Sequence, residues 1–412
     1  MKNDTVHEKL PGGIDLAVLP MPERPVVALE IRMLAGYAFE ASAHLGVTSV
    51  LAEAITKGTA HHDGRGLNDA FDEIGAGHSV QAGRESVALT GLCLPEFAER
   101  MIELHAEIIT TPTFPDDACE MAVELTRQSL AALDDDPQDL ARKFIGAQSY
   151  GEPLGRHSLG EVETLATIGR DTIVDHWKTY FAQNRMLIAI AGAIEPTKAR
   201  ELVLQYFAPL NQGNGEATAP FDLTFSAKRS HHQRTFEQEQ VAICFPGAAI
   251  TDDDFYAEQV TLGVLSGGMS GRLFTEVREK QGLVYWVGAS SDHPRGAGIV
   301  HLGASTTPER VDKTYKTLLT EIERLNKDLE DHEVQRAIVG LVARTQTRGD
   351  VTRAKASELI NDLFYHGRPI PLEQKIEQVK AVTVADVQQY LERHPRNELS
   401  VVTVGPRELT GS

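Results

Sequence analysis

Two stretches of this chain are built alike and lie a fixed distance apart. Asn184 opens NRMLIAIAG, which closes on Gly192, and Asn397 opens NELSVVTVG, which closes on Gly405, a separation of 213 residues (397 − 184). The same interval separates Pro95-Glu96, after the strand-like VALTGLCL, from Pro308-Glu309, after IVHLGASTT, and Gly58 from Gly271. One such match is chance; three at one spacing, each in a matching pattern, point to a duplicated unit, and a duplication constrains the fold more than any composition does. Between the copies lies NQGNGEATAP, Asn211 to Pro220, rich in turn formers and poor in large apolar residues, which reads as a linker. The expected organisation is a first domain over 1–210, a linker over 211–221 and a second domain over 222–412, each near the usual domain size.

Within a copy, short strand-like runs alternate with long helical patterns. Val26 to Met33, Val87 to Leu94 and Met186 to Ala191 read as strands; Leu45 to Lys57, Asp116 to Leu133 and Asp171 to Phe181 read as helices. This arrangement predicts an α+β fold in each copy, a mixed or antiparallel sheet packed with helices. The formal net charge of −19 argues against a nucleic-acid partner, which needs a basic footprint, and is compatible with cationic peptides. Cys93, Cys119 and Cys244 are far apart and odd in number, which is neither a disulfide framework nor a structural zinc site. No run approaches the ~20 apolar residues a membrane span needs, and Met1 to Pro20 lacks the apolar core of a signal peptide. A cytoplasmic location is therefore expected, or a periplasmic one if a leader has been removed.

Val47, Val50, Leu51, Ala54 and Ile55 form an apolar stripe at helical spacing, with Lys57 and Gly58 as a favourable helix end. Ser49, Ala52 and Glu53 share the neighbouring face. The segment Gly46 to Thr59, GVTSVLAEAITKGT, resembles the zinc helix G-x-A-H-F-L-E-H-M-x-F-K-G-T of the pitrilysin/insulinase (M16) peptidases. It keeps the opening Gly, the central Leu and the closing Lys-Gly-Thr. On that match the two zinc histidines fall on Ser49 and Glu53 and the glutamate base on Ala52; the family's further zinc glutamate falls on Ser129, just before Asp135-Asp136-Pro137. The resemblance implies an M16/LuxS-like metallohydrolase fold that has lost its metal positions.

The chemistry agrees with that loss. A catalytic zinc needs three protein ligands, imidazole or carboxylate as a rule. Serine is a poor ligand, alanine can neither ligate nor take a proton, and Glu53 alone cannot hold an ion. None of the fifteen histidines lies four residues from another, and His332-Glu333 begins an HExxH-like string that ends on Arg336. No metal is expected in this chain. Glu53 by itself reads as an ordinary solvated helix residue.

The second copy holds the more specific stretch, Gly267 to Tyr285, GGMSGRLFTEVREKQGLVY. Leu273, Phe274 and Val277 give a helical stripe, Gly282 stops it, and Leu283 to Val287 read as a strand. Arg278 then sits in the last helical turn and Tyr285 in the strand after it. Each has a bland explanation: a cation suits a helix C-terminus, and tyrosine is common in strands. The resemblance adds another, because in M16 peptidases an Arg and a Tyr at this spacing reach the zinc site, bind substrate backbone and help stabilise the tetrahedral intermediate. Guanidinium and phenol suit that role as fixed donors near a developing oxyanion. Gly267, Gly268 and Gly271 read as a tight turn, a stub of the glycine-rich loop of the zinc-free subunit of mitochondrial processing peptidase. No nucleotide-binding glycine motif occurs.

The resemblance thus implies a zinc-free subunit of an M16B-type heterodimer, in which a paralogous HxxEH-bearing partner carries zinc and this chain contributes Arg278 and Tyr285 to peptide hydrolysis. Two rivals belong to other classes: a non-enzymatic scaffold or assembly subunit, and a zinc-free homodimer that binds peptides without cutting them.

Overall fold

The computed structural model describes residues 5–213, 219–348 and 351–410. The linker residues 214–218 therefore lie outside the described residues. Among the described residues, eleven strands form two sheets. The first contains β1 (Val6–Lys9), β2 (Asp15–Pro20), β3 (Val27–Met33), β4 (Gly77–Ala82), β5 (Val87–Cys93) and β6 (Met186–Gly192), in the order β1-β2-β6-β3-β5-β4. The second contains β7 (Arg229–Gln233), β8 (Glu239–Gly247), β9 (Val284–Asp292), β10 (Gly298–Thr306) and β11 (Ser400–Gly405), in the order β7-β11-β8-β10-β9. Apart from β1 the two orders are the same. Both sheets are mixed: β2 runs parallel to β6 as β7 does to β11, and the other neighbours are antiparallel.

The helices repeat as the strands do. The first half carries α1 (Val47–Ala54), α2 (Gly64–Glu73), α3 (Ala98–Thr110), α4 (Asp116–Ala132), α5 (Pro137–Ser149), α6 (Val162–Leu165), α7 (Arg170–Tyr180) and α8 (Pro196–Tyr206). The second carries α9 (Phe255–Ser266), α10 (Val311–Arg324), α11 (Asp331–Arg348), α12 (Thr352–His366), α13 (Leu372–Ala381) and α14 (Val384–Arg393). A shift of 213 carries β3 onto β8, β5 onto β10, α3 onto α10, α5 onto α12 and α7 onto α14, within a few residues at each end. The fold is α+β, and its duplication is structural.

The compact units do not follow the expected halves. One unit comprises 1–131, 156–219 and 347–370, and the other 132–155, 220–346 and 371–412. The halves have exchanged one helix each. In the first unit α12 packs on β2, β3 and β6, burying Leu359, Ile360 and Leu363 against Ala17, Leu187 and Ala189. In the second, α5 packs on β8 and β11, burying Leu140, Ala141 and Ile145 against Cys244, Ile299, Val402 and Val404. Strands β6 and β11 are buried along their whole length, as central strands covered on both faces are. The exchanged helices supply one of those two covers, which explains why a boundary drawn on sequence similarity misses the packing boundary. Ile360 is fully buried, so Ile360→Ala should cost about 2–5 kcal/mol, read as a lowered urea midpoint of the first unit; an unchanged midpoint would mean that α12 contributes no cover.

One helix ends earlier than its sequence suggests. α1 stops at Ala54, not at Lys57-Gly58, because Gly58 and Thr59 leave the helix to form bridges with Asp63 and Pro112. The Thr113 N–H also donates to the Gly58 carbonyl at 3.0 Å, so these backbone groups are satisfied by pairing and not by further helix. Among the described residues no helix is long and apolar enough to cross a membrane.

Candidate functional site

α1 opens on Gly46, whose φ of +96° is the left-handed region. A β-carbon there would lie 2.8 Å from Leu165 and 2.9 Å from the Leu159 carbonyl, so only glycine fits. Having no side chain, Gly46 cannot cap the helix itself. Glu40 does so from six residues upstream, accepting the Gly46 N–H at 2.8 Å on one oxygen and the Thr48 N–H at 2.7 Å on the other. Arg156 donates to the Glu40 carbonyl and Thr48 contacts His176 Nε2 at 3.3 Å. Burial pushes the Glu40 carboxyl up to about 7, against the pull of those N–H groups and of Arg156, and pushes His176 down to about 4. Sequence reading missed all three residues, because an isolated glutamate in AFEASAHLG carries no spacing that ties it to a helix end.

The metal positions inferred from the resemblance are not arranged for a metal. Ser49 Oγ donates to the Ser158 carbonyl at 2.7 Å, Ala52 is half-buried, and Glu53 is exposed. Ser129 lies exposed on α4 and donates to the Leu125 carbonyl one turn back at 2.9 Å. Among the described residues no group of three or more His, Cys, Asp or Glu side chains is placed to hold a metal ion. The donor set on α1 does not fit zinc: one hydroxyl is engaged elsewhere, one position has no heteroatom, and one carboxylate points to water.

Glu40 carries a pH-dependent term of definite sign. Its folded value lies above the ordinary carboxylate range, so the folded chain holds a proton that the unfolded chain has lost. That contribution is complete below the ordinary carboxylate pKa and is lost as pH rises through about 7, by at most roughly 3 kcal/mol. The wild type should therefore lose stability relative to Glu40→Gln between pH 5 and pH 8 in urea titrations. Parallel profiles would refute the assignment.

In the second unit, Phe274–Glu279 is a π-helical turn, not the last turn of an α-helix. π-turns are often found at functional sites. Gly282, at φ +59°, ends it, with the Gly282 N–H on the Arg278 carbonyl at 3.0 Å and the Leu283 N–H on the Val277 carbonyl at 3.1 Å. Val277, Leu283 and Val284 are buried anchors, and between them they hold Arg278 and Tyr285 at the surface. The cations nearby are tied down. Arg272 bonds Glu333 and Asp328, Arg324 bonds Glu321 and Asp328, and Lys280 bonds Glu276. Arg278 differs: it is exposed, its guanidinium lies 5.1 Å from the Phe274 ring centre, and among the described residues no carboxylate is within ion-pair reach.

Tyr285 is 60% exposed for a definite reason. Thr306 pairs with Val284 and Ser305 with Trp286, so Tyr285 is an extra residue without a cross-strand partner. Such a bulge re-aims side chains and is common beside active sites. The cation of Arg278 is thus presented to solvent from the π-turn, and the phenol of Tyr285 from the bulge at the start of β9.

The fold is a duplicated α+β unit, with an exposed Arg278 and Tyr285 in the second unit, and proteins of one class share it. The profile of the insulinase family (peptidase family M16) matches residues 17–162, and that described as the peptidase M16 inactive domain matches residues 167–341. The chain belongs to the M16 peptidase family. It is 24% identical, over the full length of both chains, to an uncharacterized zinc protease of Rickettsia bellii. It is 23% identical to the uncharacterized zinc protease YmxG of Bacillus subtilis, covering 91% of this chain and 92% of that one. Among solved structures, a peptidase M16 inactive domain from Pseudomonas fluorescens superposes with a TM-score of 0.90 at 21% identity, covering 99% of both chains. A protease from Helicobacter pylori gives 0.89 at 14% identity, covering 98% of this chain and 99% of that one.

Proposed function

We propose that this chain is the zinc-free subunit of a heterodimeric M16B-type peptidase. The observation that carries the reading is the exposed Arg278, without an ion-pair partner among the described residues, followed in sequence by the exposed, bulged Tyr285, in a chain whose α1 offers neither a metal ligand set nor a base. A paralogous partner bearing HxxEH would supply the metal and the base. The role of this chain is to bind the peptide and set its carbonyl. Arg278 is a permanent cation with several donors, free to bond a substrate carbonyl without first breaking an ion pair. The Tyr285 hydroxyl adds a second donor toward the oxygen on which charge develops. Substrates are unfolded or short peptides, whose backbone carbonyls are free to be bound.

Co-expression with an HxxEH-bearing paralogue tests this directly. A heterodimer by native mass, with peptide turnover that neither chain shows alone, is the expected result. Stoichiometric zinc on the unaccompanied chain together with peptide cleavage would overturn the reading. So would a heterodimer whose turnover ignores Arg278 and Tyr285, which would favour a scaffold role.

A further inference from the structure

The link from Arg278 to Tyr285 has two kinds of support. Val277, Leu283 and Val284 anchor it by burial. Side chains from outside the link also hold its carbonyls. Arg310, at the end of the 3₁₀ turn Pro308–Arg310 that follows β10, donates to the Gly282 carbonyl at 2.5 Å. Thr306, the last residue of β10, donates its hydroxyl to the Leu283 carbonyl at 2.6 Å, and Thr314 of α10 donates to the Thr306 hydroxyl oxygen at 3.1 Å. Thr306 and Thr314 are fully buried, where a hydroxyl is costly unless it is bonded. The two form a chain in which each bond polarises the next.

The duplication shows that the fold does not require these donors. Counting back 213 residues, Thr306, Arg310 and Thr314 correspond to Cys93, Phe97 and Met101, whose side chains have no N–H or O–H. The first unit nevertheless builds a turn of the same kind. Gly75 also has φ +59°, its N–H lies on the Asp72 carbonyl at 2.9 Å, and the Ala76 N–H lies on the Phe71 carbonyl at 2.9 Å. That turn leads into β4 as the turn at Gly282 leads into β9. The polar donors occur in the copy whose turn carries Arg278 and Tyr285.

We propose that Arg310 and Thr306, the latter backed by Thr314, are positioning residues for the Arg278–Tyr285 pair. The inference rests on the shared-site reading of that pair, and it adds what keeps the two donors at a fixed setting. Gly282 has wide backbone freedom of its own. With their carbonyls released, the peptide planes after Gly282 and Leu283 can rotate, and the phenol that follows moves with them. A small misplacement of a group that acts in the transition state costs rate far more than binding. The effect therefore falls on kcat.

Two measurements test this on the full chain. Amide exchange in the unaccompanied chain, followed by mass spectrometry, reads the turn itself. Thr306→Val and Arg310→Ala should each speed exchange between Arg278 and Tyr285 about tenfold and leave α9 unchanged, while Thr306→Ser exchanges as the wild type does. Turnover of an internally quenched, lysine-containing, unstructured peptide by the co-expressed complex reads the consequence. In Thr306→Val and in Arg310→Ala, kcat should fall about tenfold with KM within about twofold, and Thr306→Ser should restore most of the rate. In an Arg278→Ala, Tyr285→Phe background neither substitution should lower kcat further, because residues that act through the pair then have nothing to set. Arg310 is exposed, so Arg310→Ala keeps the test decisive should Thr306→Val fold poorly. Unchanged exchange in the turn, an unchanged kcat in both variants, or losses that add fully in the double background would each overturn the proposal, with turnover still dependent on Arg278. Turnover indifferent to Arg278 and Tyr285 removes the shared site, and the positioning with it.

Discussion

Replacing Arg278 by alanine in the co-expressed complex should lower kcat by about two to three orders of magnitude, with KM changed much less. The expectation follows from how the residue is held. Its neighbours Arg272, Arg324 and Lys280 are committed to carboxylates, so their charges serve the fold, whereas Arg278 lies by the Phe274 ring with no carboxylate within ion-pair reach among the described residues. Little stability is lost with an exposed, unpaired side chain, so a fall in turnover would reflect chemistry and not unfolding. Arg278→Lys keeps the charge but loses the planar fork of donors, and should recover only part of the rate. Tyr285→Phe removes one hydroxyl and leaves the bulge, so its effect should be smaller than that of Arg278→Ala and confined to kcat. Steady-state kinetics on the purified complex checks all three. A kcat unchanged in both Arg278→Ala and Tyr285→Phe would refute the shared site.

The second large effect concerns folding. The chain expressed as two separate fragments, 1–213 and 219–412, should give pieces that are unfolded or aggregated alone and form one stable complex when co-expressed. Each fragment lacks a helix that covers its own sheet: α12 lies in the second fragment but packs on β2, β3 and β6, and α5 lies in the first but packs on β8 and β11. Losing α12 uncovers Ala17, Leu187 and Ala189 on strands that are otherwise buried, an exposed apolar face of the kind that drives association. Circular dichroism and native mass of the fragments, separately and together, decide the matter. Independent cooperative unfolding of either fragment would show that the exchanged helices are dispensable.

Much of this architecture was legible in the sequence, and the part that was not has a physical cause. The spacing of 213 located equivalent strands because buried central strands such as MLIAIAG and SVVTVG leave a continuous apolar signature closed by glycine. The exchange of α5 and α12 was not legible, since an amphipathic helix shows that it packs but not on which sheet. The side chains at Ser49, Ala52 and Glu53 were legible as poor zinc ligands from their chemistry alone. The cage around α1 was not, because Glu40, Arg156 and His176 are brought together over more than a hundred residues of chain. Arg278 and Tyr285 were marked by the resemblance. The bulge that exposes Tyr285 depends on a register between β9 and β10 that no local pattern encodes.

The swapped helices also bear on how the protein emerges from the ribosome. β6 and α8 are complete by residue 206, yet α12, which closes over that sheet, ends only at His366. At ordinary synthesis rates that interval lasts on the order of ten seconds. For that time the nascent sheet stands with an apolar face open, and the first unit cannot finish folding until most of the second has been translated. A synthesis that stalls between the two points would leave a chaperone-dependent intermediate, so the order of the repeats on the message sets when the nascent protein is most vulnerable.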